Sequence, residues 1–147
     1  ARSPSALYQG SDREDRALMI HIVFYEQGGI YYGFEETGHS GFDEAGHDIV
    51  CAAVSAMTMF LINTVEVGYA CDIQYAIDEK TTDVRILAAS ALPEYEPDEK
   101  KQFAVAGLLQ SYYLQLADML EDYYEYLDVK CVEKPYDEAL AEQKYSE

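Results

Sequence analysis

Basic residues are scarce in this chain: 10 lysines and arginines stand against 28 aspartates and glutamates, for a formal net charge of −18. Nucleic-acid binding draws on cations that displace the counterions held by phosphates, so direct nucleic-acid recognition is not expected. An acidic surface suits a basic partner, or serves solubility alone. Cysteine is sparse too. Cys51, Cys71 and Cys131 are odd in number and irregularly spaced, which implies no disulfide framework and points to a reducing, cytoplasmic setting. No apolar run approaches the roughly 20 residues of a membrane-spanning helix. The longest, from Ile49 to Ile62, is broken by Ser55 and Thr58, so no membrane partner is expected. Neither Cys-x-x-Cys nor His-Glu-x-x-His occurs, and no cofactor or metal is expected.

What is present is enough for one core. The 147 residues are 49% hydrophobic, a length and composition that fit a single domain. Residues 1–18 are polar, lack the apolar centre of a secretory signal, and read as a disordered leader or a cloning-derived segment. Residues 19–133 read as the domain and 134–147 as a polar tail. Residues 19–25 are rich in β-branched and aromatic types and predict a strand. A turn at Gln27-Gly28-Gly29 leads to a second strand over 30–37, making a hairpin. A glycine-punctuated loop, expected to be mobile, follows over 38–47.

From Asp48 to about Val67 apolar residues recur at Val50, Val54, Met57, Leu61 and Val65, a helical spacing with Asp48 as its N-cap. Strands are expected over 71–78 and 83–89. A long helix is expected over 98–126, with a seam of Phe103, Ala106, Leu109, Tyr113, Leu116, Leu120, Tyr123 and Leu127. A last strand covers 127–132. The order β-β-α-β-β-α-β predicts an α+β fold with two helices packed on one sheet. Tyr112 and Tyr124 are expected outside the seam, on a surface that suits a homodimer.

The chemistry gathers around one cysteine. An N-cap at Asp48 puts Cys51 third in its helix, where unpaired N–H groups and the helix dipole favour a thiolate and could hold an oxyanion. From position alone an inert buried cysteine is the more ordinary reading, since free cysteine is commonly buried. His39 lies twelve positions upstream, in the loop that returns to the helix start, and could take the thiol proton. A zinc site is the rival, with His39, His47 and Cys51 as ligands and Asp43, Glu44 or Asp48 as the fourth. Cys71 and Cys131 lie in strand-like segments and read as core. His21 has no evident partner.

The stretch Gly38-His39 … Gly46-His47-Asp48-Ile49-Val50-Cys51-Ala52-Ala53-Val54-Ser55 resembles the signature of the ribosomal-processing cysteine protease family, and the element order resembles that family's fold. The resemblance implies an endopeptidase that removes a short N-terminal extension from a large-subunit ribosomal protein, a basic substrate. It makes Cys51 the nucleophile and His39 the general base, puts Gly38, Asp48 and Ser55 near the active site, and implies a homodimer. Ser40 stands where the family often carries alanine. The alternative is a non-catalytic acidic accessory protein that binds a basic ribosomal partner.

Overall fold

Strand β1 (Ile20–Gln27) turns back through Gly28 and Gly29, both at positive φ, into strand β2 (Ile30–Thr37). The computed structural model describes residues 19–39 and 45–142. The expected leader, residues 1–18, lies outside them, as do residues 40–44 of the loop expected to be mobile. The hairpin is antiparallel, with Phe24 opposite Phe34 and Ile22 opposite Glu36. It forms the middle of a five-stranded sheet ordered β3-β4-β2-β1-β5, in which β3 is Gln74–Ile77, β4 is Val84–Leu87 and β5 is Leu127–Glu133. β5 lies parallel to β1, from Ile20 opposite Leu127 to Glu26 opposite Glu133. A parallel pair needs a crossover. Here the chain between β1 and β5 supplies both long helices, α1 (Ala45–Asn63) and α2 (Glu99–Tyr123).

The expected α+β order is present, and one further element follows it. Tyr136–Ala141, placed in the polar tail by sequence, forms a short helix, α3, with Tyr136 and Ala139 buried. Its Tyr136 ring packs edge-on against Tyr32, whose hydroxyl donates to the Lys134 carbonyl at 2.6 Å.

Both long helices depart from expectation in register. α1 begins at Ala45, so Asp48 lies in its first turn and is no N-cap. It runs on through a π-helical turn, Thr64–Gly68. By length and composition the 24-residue stretch Ala45–Gly68 could cross a membrane, which the broken apolar run did not suggest. In this fold Val50, Val54, Leu61, Ile62 and Val65 are buried in the core. In α2, Asp98 is the N-cap and accepts from the Lys100 N–H at 2.9 Å. The buried stripe is Val105, Leu109, Tyr112 and Leu116, whereas Phe103 of the expected seam is 83% exposed. Tyr112 therefore faces inward, its ring edge-on to Phe24 and Phe34. The reason is aromatic packing against the hairpin, an attraction the seam count did not weigh.

His21 also acquires a partner. Parallel pairing sets it opposite Asp128, with Nδ1 3.3 Å from the carboxylate.

Candidate active site

Two backbone devices aim His39. Gly38 sits at φ +91, where a Cβ would run into the Met19 carbonyl, so glycine alone fits as the chain leaves β2. Its carbonyl accepts from Nε2 of His47 at 3.0 Å, and His47 is buried in the first turn of α1. The loop start is thereby tied to the helix that carries Cys51. Gly46 is the second close approach, because a Cβ there would overlap the Tyr126 ring.

The outcome is direct contact between the two expected groups. Nδ1 of His39 lies 3.1 Å from Sγ of Cys51, and a longer contact of 3.5 Å joins that sulfur to the His39 carbonyl. On the other side of the ring, Nε2 is 3.1 Å from Oε2 of Glu36. Glu36 is buried at 1% exposure, and the His39 side chain is buried at 5%. The remaining carboxylate oxygen, Oε1, accepts from the Thr58 hydroxyl. Thr58 in turn lies 2.9 Å from the Tyr112 hydroxyl, whose oxygen is also 3.3 Å from the Val54 carbonyl. Glu36 was not singled out in the sequence. A weak signal was there, since its period-two relation to Phe34 puts it on the inward face of β2.

The other expected residues separate. Ser55 lines the same cavity as His39 and Cys51, and its hydroxyl acts to lower the pKa of the thiol. Asp48 is exposed on α1, and it is Glu36 that meets His39 at Nε2. Cys71 is buried ahead of β3 and Cys131 is half-buried in β5; both thiols are free, as is Cys51. For the zinc reading, His47 Nε2 is engaged by the Gly38 carbonyl, and no group of three or more metal-ligating side chains gathers among the described residues. Asp43 and Glu44 lie outside those residues.

The electrostatics of Cys51 run against the expected thiolate. Burial pushes the thiol above the ordinary cysteine range, the Ser55 hydroxyl partly offsets this, and the charges of Asp48 and Glu36 push it further up. The earlier helix start matters here as well. Cys51 is the seventh residue of α1, so the unpaired N–H groups of the helix start lie about one turn before the sulfur. Chemically, this is a neutral thiol beside an imidazole that can remove its proton as a bond forms. The pair opens into a cavity of about 420 Å³ that Met59, Ile62, Ile77 and Val84 make largely apolar.

Comparison with known proteins bears on the family and the fold. The sequence family described as cysteine protease Prp matches residues 19–128. No curated protein matches the chain. Among solved structures, SMU.848 from Streptococcus mutans is 31% identical, with a TM-score of 0.65 over 79% of this chain and 99% of that one. The essential ribosomal processing protease Prp from S. aureus, in complex with a substrate peptide, is 21% identical, with a TM-score of 0.63 over 78% of this chain and 100% of that one. The same protease with a covalently linked product peptide is 19% identical, with a TM-score of 0.60 over the same shares, 78% and 100%. The two S. aureus structures speak to the fold.

Proposed function

Because the chain belongs to the cysteine protease Prp family, we propose that it removes a short N-terminal extension from a basic ribosomal protein, with Cys51 as nucleophile and His39 as general base. Family membership makes it a cysteine protease and sets aside the non-catalytic accessory reading. The observation that carries the assignment of roles is the 3.1 Å approach of His39 Nδ1 to Cys51 Sγ. Nδ1 takes the thiol proton as sulfur attacks the scissile carbonyl. The resulting imidazolium gives that proton to the departing amine, leaving an acyl thioester on Cys51. His39 then draws a proton from water, which releases the acid and restores the thiol. Ser55, in the same cavity, favours the thiolate that develops on the way.

The substrate reading draws on charge and cavity. A net charge of −18 favours a basic chain and steers it over a Debye length of about 8–10 Å, so cleavage should slow as salt is added. The apolar wall formed by Met59, Ile62, Ile77 and Val84 suits apolar side chains beside the scissile bond. The S. aureus relative is a ribosomal processing protease bound to a substrate peptide. The direct test is incubation with a large-subunit ribosomal protein that carries its N-terminal extension, read by mass. One defined cut within the extension supports the reading; an intact protein after prolonged incubation removes the substrate. All three thiols are free, as suits a reducing compartment, and we place the reaction in the cytoplasm, without nucleic-acid or membrane partners.

A homodimer belongs to the same proposal. Tyr112 no longer argues for it, being buried, but Phe103 at 83% and Leu114 at 58% exposure leave two large apolar side chains of α2 open to a partner. Light scattering at micromolar concentration should give twice the chain mass, and a monomer mass would refute the dimer.

A further inference from the structure

We propose that Glu36 is a positioning residue for the cleavage reaction: its buried carboxylate, held by Thr58 and Tyr112, fixes His39 in the tautomer whose bare Nδ1 faces the Cys51 thiol. This deepens the proposed function and rests on Cys51 and His39 being the reacting pair.

The sheet explains why the carboxylate is unusual. Pairing sets Ile22, Glu36, Val84 and Ile77 opposite one another across four strands, so Glu36 is the one ionisable side chain in an otherwise apolar row. A carboxylate at 1% exposure is costly unless its lone pairs are filled. Here Thr58 and His39 each occupy one oxygen.

The donor inventory then decides the tautomer. An ionised carboxylate only accepts, so the ring must carry its proton at Nε2. A neutral imidazole has one N–H, which leaves Nδ1 with its lone pair toward Sγ, as a general base requires. The Thr58 hydroxyl has a single proton and spends it on Glu36, so the Tyr112 hydroxyl donates where it meets Thr58. Burial, and after it the charge of Glu36, push the Tyr112 phenol well above its ordinary range, so it stays a donor. Tyr112 is thus locked on the sheet by Phe24 and Phe34 and anchors a relay from α2 to the sulfur. Once His39 accepts the thiol proton, the carboxylate faces a cation in a site of low effective dielectric, where the attraction exceeds that in water.

Glu36→Gln keeps the shape and removes both the charge and the acceptor-only character. With the same ribosomal-protein substrate, kcat should fall about 10²-fold or more, with KM within about threefold, because the loss is felt in the chemical step. Thr58→Val keeps the Thr58 shape and leaves Oε1 of Glu36 unfilled; about a tenfold lower kcat is expected, and it serves if Glu36→Gln folds poorly. A readout independent of cleavage is the 15N spectrum of histidine-labelled protein. His39 should show the Nε2–H form in the parent and a mixture of tautomers in Glu36→Gln. A kcat for Glu36→Gln within twofold of the parent, or an unchanged His39 tautomer, overturns the proposal. Cys51→Ala in the same assay keeps the two questions apart. Cleavage surviving that change would sink the protease roles, whereas cleavage lost there but intact in Glu36→Gln would sink only the positioning role.

Discussion

His39→Ala is expected to lower kcat by about 10³-fold or more at neutral pH while the protein stays folded. General base assistance alone contributes about 10²–10⁴-fold. The loss should lie toward the upper part of that range, because among the described residues no other base meets the sulfur. Burial and the charges of Asp48 and Glu36 hold the thiol above the ordinary cysteine range, so at pH 7 the protonated form dominates. The sign of the pH dependence follows. In His39→Ala the residual rate should climb as pH rises toward and through the thiol's raised range, since alkali then supplies the thiolate that the imidazole no longer generates. The parent should already be active at neutral pH and gain proportionately less. Steady-state cleavage from pH 6 to 9.5 measures both. A His39→Ala variant with near-parent activity at pH 7, or one whose rate falls with rising pH, contradicts the general-base role.

Gly38→Ala should cost both stability and activity. Its φ of +91 is a backbone conformation that L side chains rarely adopt, and holding alanine in a sparsely populated region costs about 1–3 kcal/mol. The added Cβ also meets the Met19 carbonyl, which is backbone and cannot swing aside. Relief requires the end of β2 to move, carrying with it the Gly38 carbonyl that His47 grips and the His39 ring one residue on. A shift of about 1 Å in a reacting group can cost about 10²-fold in rate. Urea denaturation should show a lower midpoint for Gly38→Ala, and cleavage should fall by about that factor. Gly28→Ala is the control. It also has a positive φ, +57, but nothing lies within 4 Å of its Cβ, and it is remote from the site. Equal midpoints for the parent and Gly38→Ala would show that the close approach to Met19 does not constrain the loop.

The pairing of Cys51 with His39 was legible because both belong to a compact motif whose loop returns the chain to a helix start. The hairpin and the α+β order were legible for the same local reason: period-two and period-three-four patterns are written in consecutive residues. Glu36 was not. It sits between Glu35 and Thr37, and three polar residues at a strand end read as solvated, although only every second one faces the helices. Its partner Thr58 is one turn beyond the motif and Tyr112 is on another helix, so the relay exists only after the layers close. The start of α1 was misplaced because Asp48 has the chemistry of a cap, whereas Gly46 is present to admit the Tyr126 ring, a contact between distant segments. The stripe of α2 was displaced by one residue around Tyr112 and Tyr113, since both pack on the hairpin: Tyr113 also lies edge-on to Phe24, at 5.3 Å. The short helix α3 buries only Tyr136 and Ala139, too few for a periodic signal in a charged tail.

The central claim is that Cys51 carries the substrate's acyl group, and the most direct measurement is the intact mass of the protein quenched in acid during turnover of a peptide spanning the cleaved bond. The account predicts a species heavier than the free protein by the acyl half of the peptide less one water, mapped to Cys51 after digestion. Cys51→Ala should show neither the adduct nor any cut. An adduct on Cys71 or Cys131, or cleavage by Cys51→Ala at the parent rate, would contradict it.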